Sequence, residues 1–244
     1  MNLPPTASNS ATSLIIFATL LIALSPLVTR SQSSLFNIPN AEVLGKNERY
    51  VEIDFDSHFD KYRRGGFQSY GVVGVFGVGK RVEVGMNGYL LRDEDGVHPF
   101  QLQPNIKFKV YESETLGLSA AVGGIAYIPV SKRVGTDAFA SLYAVARKEF
   151  RNKWTPVFTG GAYHLVGTGP DSGSKRGFLV GIEQPIHSRV NFIADWNSGK
   201  NDLGYAAAGI GLTLTKRSYL YSAYYFGNQG RGNNSLGIYY VRSF

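Results

Sequence analysis

The chain has 244 residues, enough for one large domain, and its 43% hydrophobic content with a mean hydropathy of −0.10 is too polar for a bundle of membrane helices. It contains no cysteine, which excludes a disulfide framework, a thiol nucleophile and a Cys-ligated zinc site. The formal charge of +7 comes from basic residues scattered among acids, a poor match to a nucleic-acid-binding patch.

Taken in order, the chain begins with its one continuous aliphatic run, Leu14–Leu24. That run is too short to cross a bilayer as a helix and fits the core of a secretory signal. Thr29-Arg30-Ser31 supplies small residues for cleavage before Gln32, so residues 1–31 are expected to be removed on export. Residues 1–13 carry no Lys or Arg, so the amino terminus alone supplies the positive charge that precedes the run, and an uncleaved anchor is the alternative. Residues 32–49, with Asn, Pro and Gly, read as an extended leader.

From Tyr50 to Phe244 no stretch has helical periodicity. Period-two alternation predicts twelve strands, at about 50–56, 67–78, 81–91, 100–111, 116–128, 138–148, 154–166, 177–186, 189–197, 203–214, 218–226 and 235–244. In the fourth, Phe100, Leu102, Ile106, Phe108 and Val110 fall on one face, and Gln101, Gln103, Asn105, Lys107 and Lys109 on the other. Pro104 and Pro156 are exceptions, since neither has a backbone donor for a ladder. Short turns at Gly79-Lys80, Glu112–Thr115, Phe150–Lys153, His187-Ser188 and Thr215–Arg217 alternate with longer loops at Ser57–Gly66, Arg92–Pro99, Ser131–Asp137, Gly167–Arg176, Ser198–Asp202 and Gly227–Asn234. This layout predicts an all-β fold, a single closed antiparallel transmembrane β-barrel of about twelve strands, with ten or fourteen as alternatives. Short turns would lie on the periplasmic side and longer loops outside. Only a closed barrel lets strands sit in lipid without unpaired backbone groups. An exported soluble sandwich would have shorter strands.

If the apolar faces meet lipid, the lumen receives Glu52, Asp54 and Asp56 from the first strand, Arg81, Glu83 and Asn87 from the third, Gln101, Gln103, Asn105, Lys107 and Lys109 from the fourth, and Glu183, Asn191 and Asp195 from the eighth and ninth. Six acids against three bases in a narrow lumen predict one of two outcomes. Either they line a pore that selects solutes by charge, or they pair across it and close it. Trp154, Phe158, Phe178, Trp196, Tyr224, Phe226, Tyr240 and Phe244 are expected near strand ends or on outward faces, as interfacial girdles require.

The last strand, Ser235 to Phe244, ends on an aromatic residue preceded at alternate positions by Leu236, Ile238 and Tyr240. In this it resembles the C-terminal assembly signal of bacterial outer-membrane β-barrels of the porin-like kind, with Arg242 departing from the pattern. The resemblance covers roughly residues 50–244 and implies the outer membrane of a Gram-negative cell. It also implies contact with its lipid and lipopolysaccharide and insertion by the barrel-assembly machinery. A small barrel needs no partner to close, so a monomer is expected.

The expected function is passive diffusion of small polar or charged solutes. A plugged barrel presenting loops such as Ser57–Gly66 and Gly167–Arg176 to a partner is the alternative. Catalytic sets are scarce. The histidines, His58, His98, His164 and His187, are not spaced as metal pairs, and neither a metal nor a cofactor is expected. Gly167–Gly177 lacks the G-K-[ST] ending of a phosphate loop and has no helix after it. No G-x-S-x-G is present. The remaining enzymatic reading is an outer-membrane hydrolase using His164 as base and a serine on an adjacent strand, such as Ser141.

Overall fold

The computed structural model describes residues 33–130, 137–150, 155–168 and 172–244. The predicted export segment 1–31, Trp154, and parts of the connections at 131–137, 150–153 and 167–176 lie outside the described residues. The strands are β1 (Arg49–His58), β2 (Phe67–Gly77), β3 (Val82–Asp93), β4 (Gly96–Val97), β5 (Gln101–Ser113), β6 (Leu118–Pro129), β7 (Phe139–Glu149), β8 (Val157–Val166), β9 (Arg176–His187), β10 (Val190–Asn197), β11 (Tyr205–Thr215), β12 (Ser218–Gly227) and β13 (Ser235–Ser243). Each long strand pairs antiparallel with its neighbours in sequence, β13 pairs with β1, and β2 with β3, so the sheet closes into a ring of twelve strands. The two-residue β4 lies outside the ring, folding the predicted loop at Arg92–Pro99 back onto Arg92 and Asp93.

Alternation turns one face of every strand to the outside, and that face is apolar. Ile53, Val72, Phe108, Leu142, Val180 and Ile210 are exposed on it. The buried apolar residues sit on the other face, inside the ring, among buried Glu, Asp, Lys and Ser. An oily exterior around a polar interior is the arrangement that lipid requires of a closed barrel. The protein is an all-β closed barrel with the surface of a membrane-spanning one. Phe158, Phe178, Trp196, Tyr224, Phe226 and Phe244 are exposed, as girdle residues would be, while Tyr240 is half-buried.

Two local irregularities account for residues that alternation alone misplaces. Pro104 pairs with Met86 of β3. On its other side the ladder to β6 passes from Leu102↔Ile128 to Asn105↔Ile125, so the missing donor interrupts pairing without shifting the register. Further along β5 the register shifts between Lys109 and Tyr111, and both Val110 and Tyr111 face outward. A bulge of this kind leaves an extra residue unpaired and bends the strand. It also carries β5 through Glu112 and Ser113, which alternation assigns to the turn.

Ser33–Glu48 differs most from expectation. It is not simply extended: residues 33–44 fold inside the ring, and Lys46 and Asn47 are exposed where the chain leaves it. Leu35 donates its N–H to the Ile38 carbonyl at 2.8 Å and Asn40 to Ser33 at 3.2 Å, with a bridge between Ser34 and Pro39, so residues 33–40 form a small hairpin. Leu35, Ile38, Asn40 and Ala41 are buried, Ile38 completely. The chain then leaves the lumen over Gly77, where an added Cβ would lie 2.1 Å from the Gly45 carbonyl oxygen, and turns into β1 through Asn47 at φ 67°.

Candidate functional site in the lumen

Alternation along β1 sends Tyr50, Glu52, Asp54 and Asp56 into the lumen, rising from the turn end toward the loop end. Glu83 on β3 stands directly opposite Lys107 on β5, and their side chains form an ion pair of 2.9 Å, with both side chains at most 3% exposed. This pair holds the base of the leader hairpin. Lys107 Nζ donates to the Ser33 carbonyl at 2.7 Å and to the Asn40 carbonyl at 3.3 Å. Glu83 accepts from the Leu44 N–H at 2.9 Å and from the Ser33 hydroxyl. Nearer the turn end, Glu42 of the leader receives Lys109 Nζ at 2.8 Å, the Ser119 hydroxyl at 2.9 Å and Arg147 at 3.5 Å. Burial opposes ionisation of Glu42, but these three partners outweigh it and hold its carboxyl below its ordinary value. The far tip is tied to β10. Asn37 donates its backbone N–H and its side-chain amide to the two carboxylate oxygens of Asp195, at 2.7 and 2.8 Å.

The two Lys predicted to line a water path are thus buried beneath the leader, each in an ion pair. Lys107 pairs with Glu83 on an adjacent strand, and Lys109 with Glu42 of the leader and with Glu112 on its own strand, so these charges are met at the wall and the leader and not across an open lumen. Arg81 lies in the turn before β3 and is exposed, because the strand begins one residue after it. Glu183 and Asn191 face inward near the turn end, half-buried. Asn87, Gln101, Gln103 and Asn105 face inward toward the loop end as an amide ladder. Asn87 donates to Gln103 at 3.3 Å, Gln103 to Gln101 at 2.8 Å, and Asn105 to Asn87 at 3.2 Å.

Sequence reasoning missed the leader's role, Glu42 and Arg147, and the inward tyrosines. Tyr50, Tyr89, Tyr127, Tyr143 and Tyr163 lie on the inner face, as do Tyr205, Tyr219, Tyr221, Tyr225 and Tyr239. The signal was present, since each stands at an inward position of its strand. The leader's apolar Leu35, Phe36, Ile38, Ala41, Val43 and Leu44 were equally visible as poor linker composition.

Above the leader, toward the loops, a cavity of about 400 Å³ is lined by the hairpin tip, the β1 acids, the amide ladder and tyrosines. It shares Ser69, Tyr89, Leu91, Gln103 and Tyr127 with a vestibule of about 670 Å³ bordered by the outer loops. The two spaces therefore adjoin, between the leader hairpin and the outer loops. The hydrolase pair is not assembled. Ser141 is buried on the inner face of β7, whereas His164 is exposed on the outer face of β8, opposite Leu142. Among the described residues no group of three His, Asp or Glu is placed to hold a metal ion.

No family model matches the sequence, and no match was found among curated protein sequences. Several solved structures are similar. The COG4313 outer membrane channel from Pseudomonas putida F1 aligns with a TM-score of 0.46 at 15% identity, over 84% of this chain and 97% of that one. Outer membrane phospholipase A from Escherichia coli gives 0.46 at 14%, over 91% and 96%. The Acinetobacter baumannii outer membrane protein Omp33 gives 0.44 at 9%, over 81% and 99%. Likeness at this level does not extend to chemistry.

Proposed function

We propose that the protein is an outer-membrane channel for small polar solutes, closed at rest by its own leader. The observation that carries this reading is the polar cavity that opens toward the outer loops and ends on the hairpin at residues 33–40. The polar contacts that seat the hairpin are hydrogen bonds and ion pairs, which water replaces when the hairpin leaves. Twelve strands pair into a ring without the leader's help, so its departure leaves the wall intact. Planar-bilayer recording tests the reading. The intact protein is expected to show rare, brief openings, and a form lacking residues 33–44 a steady conductance. Absence of discrete conductance from the shortened form sinks the proposal.

The complete burial of Ile38 and Ala41 favours a second reading, a permanently plugged barrel that presents its loops to a partner. Silence of both forms in the bilayer, with the shortened form correctly folded, supports it. Insertion by the barrel-assembly machinery through Leu236, Ile238, Tyr240 and Phe244, and a monomeric state, belong to the same proposal.

A further inference from the structure

Glu52, Asp54 and Asp56 occupy alternate positions of one strand, so their successive Cα atoms are roughly 7 Å apart on the same face, and the Glu52 and Asp54 carboxyls approach within hydrogen-bond reach of each other. All three line the cavity above the leader. Asp54 is only 4% exposed. Its Oδ2 accepts from the Tyr89 hydroxyl at 2.6 Å, while its Oδ1 is buried without a partner. A carboxylate oxygen in that position is costly unless something donates to it. Among the described residues the one other lining acid, Glu83, is already neutralised by Lys107. No Lys or Arg among the described residues lines the cavity or the vestibule. The vestibule instead adds Asp137 and Asp202, and its His98 is held by Asp93 at 2.8 Å.

Aromatic rings stand among the acids. Tyr239 donates to Asp56, and the Tyr239 and Tyr225 hydroxyls are 2.6 Å apart, with the two rings edge-on at 6.3 Å. Tyrosine faces attract cations, and a negative mouth with low-dielectric walls concentrates them. With no three-ligand metal set among the described residues, the chemistry fits an organic cation. Its ammonium group would donate to Asp54 Oδ1 while its carbon chain lay against tyrosine.

We infer that the cavity between the leader and the outer loops is a binding site for a small aliphatic amine, with Asp54 as its principal acceptor. The inference names the solute class of the proposed channel and rests on that reading for its route, although binding itself does not require conduction. Isothermal titration of the purified, refolded full-length barrel with 1,4-diaminobutane tests it, with 1,4-butanediol as the uncharged control. Saturable binding of the diamine and none of the diol is expected, and Asp54→Asn should weaken binding roughly tenfold or more. Equal heats from diamine and diol, absence of saturation, or an unweakened Asp54→Asn protein overturns the inference. Heat-modifiable gel mobility reports whether each variant is folded, and Asp56→Asn takes the place of Asp54→Asn if the latter is not. Diamine binding with a silent leader-deleted barrel supports the site and removes the channel. Conductance of that barrel with no diamine binding to the full-length protein removes the site and keeps the channel.

Discussion

Asn37 and Asp195 form a two-point contact. The backbone N–H and the side-chain amide of one residue reach the two carboxylate oxygens of the other, 158 residues away in the chain. The contact fixes the tip of the leader hairpin to β10, at the floor of the cavity that opens outward. Asp195→Ala leaves both donors buried without an acceptor, a loss of roughly 1.5–3 kcal/mol for hydrogen bonds to a charged group. The expected result is a leader that leaves the lumen about ten times more often or beyond. The checks are faster protease cutting within residues 33–44 and a higher open probability in bilayers, with the folded barrel band unchanged.

Glu42 makes seating of the leader depend on pH. When the leader is out, its carboxyl has its ordinary value of 4.5; when seated, Lys109, Arg147 and Ser119 hold it lower. A group whose value is lowered in the bound state contributes stability that is complete above the free value and is lost as pH falls through the bound value. The leader is therefore expected to loosen below about pH 4.5 and to stay seated at neutral pH. Open probability measured against pH checks this, and Glu42→Gln should flatten the response while raising the openings at neutral pH.

The alternation of Gln101 through Val110, the uneven connection lengths and the terminal Phe244 made the barrel legible in the sequence, because lipid enforces a two-residue period on every strand. The lumen was legible only as a set of faces. Which charged groups meet depends on strand stagger and on what fills the space, and neither is periodic. Lys107 and Lys109 are buried, and their partners, Glu83 and Glu42, are set by the ring closure and by a leader that alternation does not describe. Asn47, with φ 67°, turns that leader back into the ring, and a single residue of this kind has no pattern around it.

The Lys107–Glu83 pair joins wall to leader, and its burial makes a one-sided change costly. Lys107→Met strands a carboxylate and should destabilise the seated leader by roughly 3–5 kcal/mol, whereas Lys107→Met with Glu83→Leu should recover much of the loss. Thermal midpoints and leader proteolysis of the two single variants and the double variant measure it. Additive losses would mean the pair acts only through separate contacts with the leader.

At the other end of the chain, Arg242 departs from the expected pattern of the last strand. Its guanidinium lies 5.9 Å from the centre of the Phe244 ring, and Arg49 lies 5.8 Å from the same ring. Two cations at an exposed aromatic ring are worth roughly 0.5–1 kcal/mol each. Phe244→Ala should lower the barrel's refolded thermal midpoint only slightly. If the terminal aromatic also serves assembly in the cell, the yield of membrane-inserted protein should fall several-fold, and comparison of refolded and cellular material separates the two effects.

Gly181 of β9 offers the most direct way to displace the leader without touching a charge. A Cβ built there would lie 2.5 Å from Leu35 Cδ2 and 3.1 Å from Ile38 Cδ1, so the leader's apolar side chains occupy the space that glycine leaves. Both contacts are with the ends of side chains, and Gly181→Ala is expected to be absorbed by a small shift of Leu35. Gly181→Leu cannot be absorbed in this way, because its branches need the volume that Leu35 and Ile38 fill, and overpacking costs roughly 1–3 kcal/mol or more. Position 181 pairs with Thr159 and Asp195 inside an unbroken ladder, so the wall should close as before. The expected outcome is a folded barrel with the leader out, protease-sensitive within residues 33–44 and conducting steadily, alongside an alanine variant close to the parent. A Gly181→Leu barrel that folds, keeps its leader protected and stays silent would show that the leader's seat does not lie against β9.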